Sequence, residues 1–178
     1  MDLVIGSANK CLRGVPGAAF VVASNEIMEV ISNRRPVALS TDLVGALSKE
    51  EDGETPFSPP VQTMYALGEA ARELLEEGVG NRITNYQSIA NTLRDGLSPL
   101  ELSFLVPREQ MSNTMTSVML PEGFSYADLH RPLKEQGYVI HKSQGELSET
   151  TFRMGNIGVI TQDDIRGFLL ALRQVLSR

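Results

Sequence analysis

Apolar positions in the first part of the chain come in short unbroken runs. Leu3 to Ile5 is one, ended by Gly6, and Ala18 to Ala23 (Ala-Ala-Phe-Val-Val-Ala) is another. Runs of that length bounded by glycine and proline read as strands, the second of them fully buried. Between them Ser7-Ala8-Asn9-Lys10-Cys11 forms a polar turn, and Gly14, Pro16 and Gly17 punctuate a loop. Ser24 is placed to cap a short helix over 25–31. The stretch 34–47 shows no period, and Pro56, Pro59 and Pro60 end a surface loop.

After Pro60 the period changes to that of a helix. Val61, Met64, Tyr65, Leu67, Ala71, Leu74 and Leu75 recur at helical spacing with polar residues between them. Proline suits the first turn, where its missing N–H has no partner to lose, and Gly78 and Gly80 are the stop. A second helix is predicted over 82–96, with Ile83, Tyr86, Ile89, Ala90 and Leu93 on one face. From Leu97 the pattern mixes. A strand is predicted over 114–120, a helix over 125–135 ended by Gly137, strands over 138–140 and 150–154, and a last helix capped by Thr161 to Asp164. Strand, helix, strand, strand, helix describes a small α+β layer with helices on one sheet face. The boundary is placed near Gly96, giving parts 1–96 and 97–178.

Composition narrows the function classes. Of the 178 residues, 42% are hydrophobic and 21% charged, so a core can form. There is no apolar run that would span a bilayer, and no basic-then-apolar leader. The single cysteine, Cys11, cannot pair within the chain and fits a reducing cytosol. It has no neighbouring histidine to activate it and reads as a packed thiol. The net charge of −6 argues against nucleic-acid binding, which wants clustered Lys and Arg. His130 falls on the polar side of a helix and reads as exposed; His141 ends a strand. No metal-ligand constellation, nucleotide-binding glycine pattern or Ser-His-Asp set is visible. The chain enters a strand at once, which reads as a start in the middle of a larger fold.

Lys10 is the residue of most chemical interest. A lysine on a turn just after a buried strand lies near a sheet end, where partial burial disfavours its charged form. A neutral amine can attack an aldehyde. Local chemistry alone favours a solvated surface lysine.

Three segments change that weighting. Ser7-Ala8-Asn9-Lys10-Cys11-Leu12-Arg13-Gly14-Val15-Pro16-Gly17 resembles the cofactor-lysine segment of the 2-aminoethylphosphonate–pyruvate aminotransferases, which are class V aminotransferases of the aspartate-aminotransferase fold type. Phe57-Ser58-Pro59-Pro60 with Thr63 resembles the family's loop-to-helix segment. Leu133 to Ile140, with Phe152-Arg153-Met154-Gly155-Asn156-Ile157-Gly158, resembles its C-terminal domain. Order and spacing agree across essentially the whole chain.

The resemblance implies an α/β fold: the end of the large cofactor-binding domain of a fold-type I enzyme, then a small α+β domain. It implies pyridoxal phosphate carried on Lys10, which also moves the proton as general base and acid. It implies Asn9 near the cofactor phosphate, and Ser58 reaching the phosphate of the neighbouring subunit in a homodimer. The family usually has threonine at that position; serine keeps the hydroxyl and loses a methyl group. Arg153 would hold the substrate's acidic group, because a planar guanidinium forms two parallel bonds to a carboxylate. The implied partners are a small-molecule amino donor and pyruvate, giving phosphonoacetaldehyde and alanine. An alanine–glyoxylate or serine–pyruvate aminotransferase is the neighbouring reading, and a non-catalytic interaction fragment a third.

Without the resemblance, Asn9 caps a turn, Ser58 is an ordinary loop residue, and Arg153 pairs with Glu149. At His141-Lys142-Ser143-Gln144-Gly145 the chain departs from the family, which has a Pro/Gly-containing turn there. The family's phosphate turn, stacking aromatic and ring-nitrogen aspartate have no counterpart in the sequence. The chain is therefore expected to be about half of an enzyme, and by itself to bind the cofactor weakly and to transaminate poorly or not at all.

Overall fold

The computed structural model describes residues 2–177. They form two compact units, Met1–Glu76 and Glu77–Arg178. The first opens with β1 (Leu3–Ser7) and β2 (Ala19–Ala23), which pair antiparallel with Leu3 opposite Ala23 and Ser7 opposite Ala19. Helix α1 (Asn25–Ser32) follows, and its first turn is held as expected: the Ser24 hydroxyl accepts from the Ile27 N–H at 3.3 Å. A 3₁₀ turn (Leu39–Thr41) and helix α2 (Leu43–Glu51) occupy the stretch that shows no period in sequence. The missed signal was Asp42, whose carboxylate accepts from the Gly45 N–H at 2.9 Å and caps α2. Helix α3 (Val61–Glu77) starts after Pro60 and ends at Gly78, which takes φ +85°.

The apolar runs of this unit make the expected strands but not the expected burial. Ile5 is 71% exposed and Val22 is 61% exposed. A two-stranded ribbon has two faces, and no third layer among the described residues covers them. The stripe on α3 behaves likewise, with Tyr65 79% exposed and Ala70 its one buried residue among those described. Periodicity gives the element and the face; burial needs a neighbour that this unit lacks.

The second unit carries its own core. Helix α4 (Val79–Leu97) begins three residues earlier than the pattern predicts and runs through Gly80. It is followed by β3 (Met115–Met119), α5 (Tyr126–Glu135), β4 (His141–Lys142), β5 (Thr151–Gly155) and α6 (Gln162–Leu176). The sheet order is β3-β5-β4, antiparallel throughout. Alternation along β3 and β5 sends Val118, Phe152 and Met154 to the core with Leu93, Leu97, Leu129, Leu133, Leu172 and Val175. The strand expected over 138–140 does not form. The Tyr138 N–H donates to the Leu133 carbonyl at the end of α5, and the Ile140 carbonyl accepts from the Tyr126 hydroxyl at 2.9 Å. Those commitments postpone sheet pairing to His141. Ile140 is 1% exposed, so Ile140→Val, which removes one buried methylene, is expected to lower stability by about 0.5–1.5 kcal/mol in urea melts.

Two helices of this unit start with reciprocal capping boxes. The Ser125 hydroxyl accepts from the Asp128 N–H while the Asp128 carboxylate accepts from the Ser125 N–H at 2.8 Å; Thr161 and Asp164 repeat the arrangement. The Ser125 hydroxyl and then its backbone N–H hold the Asp128 carboxyl below the usual aspartate range, and the two Thr161 donors do the same for Asp164. A depressed folded-state value stabilises at pH above the ordinary carboxylate value and is lost as pH falls through the depressed one. Below about pH 4 the unit is therefore expected to lose stability with acidification. Urea midpoints between neutral and acid pH should show a shallower acid limb for the Asp128→Asn, Asp164→Asn double variant. None of the described helices is long and apolar enough to cross a membrane.

Candidate functional site

The turn that carries Lys10 is closed by its own backbone. The Ala8 N–H donates to the Ala18 carbonyl at 3.0 Å, the Gly14 N–H to the Ala8 carbonyl at 2.8 Å, and the Arg13 N–H to the Lys10 carbonyl at 2.9 Å. Ala8, fully buried, is the pin of this turn. A Cβ at Gly14 would stand 3.0 Å from the Ala8 carbonyl oxygen, tighter than ordinary packing, so a residue without one is required where the loop folds back. Gly17 has φ +119°, and its missing Cβ would lie 3.2 Å from the Thr63 hydroxyl. The loop thus rests on the first turn of α3, just after Ser58, Pro59 and Pro60.

On that frame Asn9 is half-buried and Lys10 is exposed. The partial burial expected of Lys10 is therefore not supplied by the described residues, for the same reason that β1 and β2 are uncovered. Neither the Lys10 amine nor the Asn9 amide makes a hydrogen bond or ion pair among the described residues, and the exposed Ser58 hydroxyl is equally uncommitted. An exposed amine on a fixed turn, adjacent in sequence to a side-chain amide with no partner among the described residues, fits a phosphorylated aldehyde cofactor. Two smaller expectations are corrected. Cys11 is exposed rather than packed. His130 is half-buried, stacked on Tyr126 with ring centroids 5.1 Å apart.

Arg153 belongs to the second unit, at the centre of β5. Its Nη2 donates to the Lys142 carbonyl at 3.1 Å, and its buried Nε has no partner. The pairing with Glu149 that local chemistry favoured does not occur. Glu149 is held by the Lys142 ammonium at 2.6 Å, which, with the Ser148 hydroxyl, keeps its carboxyl below the usual range. A guanidinium with no acid beside it and a sheltered idle donor is suited to an anion from outside. The strand end is fixed by Asn156, 1% exposed, whose Nδ2 donates to the Asn113 carbonyl at 2.8 Å and whose N–H donates to the Thr114 carbonyl.

The sequence reading missed the neighbours of Arg153. In register, Ser117 of β3 stands opposite it on one side and His141 of β4 on the other. Alternation hinted that Ser117 faces away from Thr116 and Val118, but the register across three strands has no signature in a single sequence.

No family model matches the chain. A 2-aminoethylphosphonate–pyruvate transaminase of Salmonella schwarzengrund is 36% identical over 181 aligned residues, which take in 99% of this chain and 49% of that protein. A solved alanine–glyoxylate aminotransferase from Nostoc sp. superimposes with a TM-score of 0.87 at 28% identity, covering 98% of this chain and 48% of its own. The chain has the fold of the C-terminal portion of a class V aminotransferase. A ureidoglycine–glyoxylate aminotransferase from Bacillus subtilis gives the same TM-score at 26% identity, covering 100% of this chain and 47% of that one. The chain spans about half the length of the curated relatives it matches. Class V aminotransferases are fold-type I enzymes that depend on pyridoxal phosphate, so the expected fold class and the identity of the class cofactor agree with these likenesses.

Proposed function

We propose that this chain supplies the cofactor lysine and the substrate-anion arginine of a pyridoxal-phosphate-dependent aminotransferase that acts on 2-aminoethylphosphonate and pyruvate. The observation that carries the reading is Arg153: a guanidinium without an acidic partner, with its buried Nε idle, in a chain similar at 36% identity to transaminases of that name. Pyridoxal phosphate, when bound, supplies the electron sink that lets a C–H bond beside the amino group break heterolytically. Lys10 Nζ holds the cofactor and moves the proton at the substrate carbon that bears the amino group. The Asn9 amide and the Ser58 hydroxyl donate to the cofactor phosphate, Ser58 across a homodimer. Arg153 binds the carboxylate of pyruvate in one half-reaction and the phosphonate of the donor in the other. The small domain in this reading is the unit that begins at Glu77, with α4 contributing to its core, rather than the 97–178 expected from sequence, and the reaction is placed in the cytosol.

The test is chemical. Incubation with pyridoxal phosphate, borohydride reduction and peptide mapping should place the label on Lys10. Label spread evenly over Lys10, Lys49, Lys134 and Lys142 would overturn the lysine assignment. The second reading, an alanine–glyoxylate type, is favoured by the likeness to the Nostoc sp. structure. Formation of alanine from pyruvate with 2-aminoethylphosphonate as donor, and none of glycine from glyoxylate, decides for the first.

A further inference from the structure

We propose that Ser117 and His141 complete the anion site around Arg153 and set its preference for a tetrahedral phosphonate over a planar carboxylate. The inference rests on the reading that Arg153 holds the substrate's acidic group. It starts from the register. In antiparallel strands, directly opposed residues lie on the same face with Cβ atoms roughly 5 Å apart. Arg153 is opposed by Ser117 on β3 and by His141 on β4, so the three form one row across the sheet. That row lies on the face turned away from the core, because Thr116, Val118, Phe152 and Met154 alternate to the other side.

Three observations give the row a binding character. Neither the Ser117 hydroxyl nor the His141 ring makes a hydrogen bond among the described residues. The neighbouring carboxylate, Glu149, is held by Lys142 and does not neutralise Arg153. Gly155, two residues along β5 and on the same face, leaves space: a Cβ there would meet only the Met115 methyl, at 4.0 Å.

Shape then assigns the ligand. The planar fork of a guanidinium satisfies two oxygens lying in one plane, which is the whole of a carboxylate. A phosphonate has a third oxygen, directed out of that plane, and it needs a donor at the side of the arginine. Ser117 and His141 stand on its two sides. Acetate therefore uses Arg153 alone, whereas a phosphonate uses the row.

The experiment is an NMR titration of the 178-residue chain with methylphosphonate and, separately, acetate at one pH, following the Arg153 Nε–H and His141 ring signals. Both anions should shift Arg153, and methylphosphonate should also shift His141. In the Ser117→Ala, His141→Leu double variant the ratio of the two affinities should fall about two- to tenfold, the factor that one net hydrogen bond gives, with acetate affinity unchanged. These positions face solvent, so the variant keeps the core intact, and amide dispersion checks this. An unchanged ratio overturns the proposal and leaves Arg153 standing. An equal loss for both anions also overturns it, since that is what a merely structural role would give. If Arg153→Gln binds both anions like the wild type, or the wild type binds neither, the reading of Arg153 itself falls.

Discussion

In a full-length enzyme of the proposed kind, Lys10→Ala is expected to lower turnover by about 10²- to 10⁴-fold, the range that a positioned general acid–base supplies. The fold should hardly register the change. Lys10 is exposed and carries no bond from its side chain among the described residues, so the stability effect should stay within about 0.5 kcal/mol. Its turn is closed by the bonds of Ala8, Arg13 and Gly14, none of which uses the lysine side chain. That separation makes the experiment decisive: a chemical role and a structural role predict different outcomes. Added ethylamine should restore part of the lost rate, because a free amine can carry the proton. Turnover within tenfold of the wild type would sink the assignment.

The second large effect belongs to Arg153. Truncating one partner of a desolvated charge pair costs about 2–5 kcal/mol, so, with Arg153 in the role proposed for it, Arg153→Gln in the full-length enzyme is expected to lower kcat/KM by about 30- to several thousand-fold. Arg153→Lys should recover little, since an ammonium lacks the planar fork. Glu149→Gln is the control. Were Arg153 a structural cation paired with that acid, the control would matter; with Glu149 held by Lys142, it should change kcat/KM less than about twofold. A large effect of Glu149→Gln would return Arg153 to its reading as half of a surface pair.

Much of the fold was legible because the elements carry local signals. Ser24, Ser125 and Thr161 announce helix starts by the same mechanism, a side-chain oxygen accepting a backbone N–H, and all three caps are present. Helix α3 follows from Pro60, its apolar spacing and Gly78. What failed was non-local. Burial of Ile5 and Val22 was inferred from an unbroken apolar run, but burial is a property of two elements and one of them is not in this unit. The strand over 138–140 was inferred from composition, but the backbone there is committed to α5 and to Tyr126. At the candidate site the individual residues Asn9, Lys10, Ser58 and Arg153 were readable as motifs. Their surroundings were not: that Glu149 turns to Lys142, and that Ser117 and His141 flank the arginine, depends on register and rotamers.

Strand β4 is two residues long and lies at the edge of its sheet, with β5 on one side and, among the described residues, no strand on the other. His141 is exposed and is joined to Arg153 by a short ladder. Substitutions at 141 meet few packing demands, while those at 152 or 154, in the interior of the sheet, meet many. With His141 in the role proposed for it, selectivity is exposed to drift at a position where drift is nearly free. Related chains that share the arginine and the core can part ways in what they accept by changing a single rim residue, and a library built at 141 alone is the shortest route to retuning it.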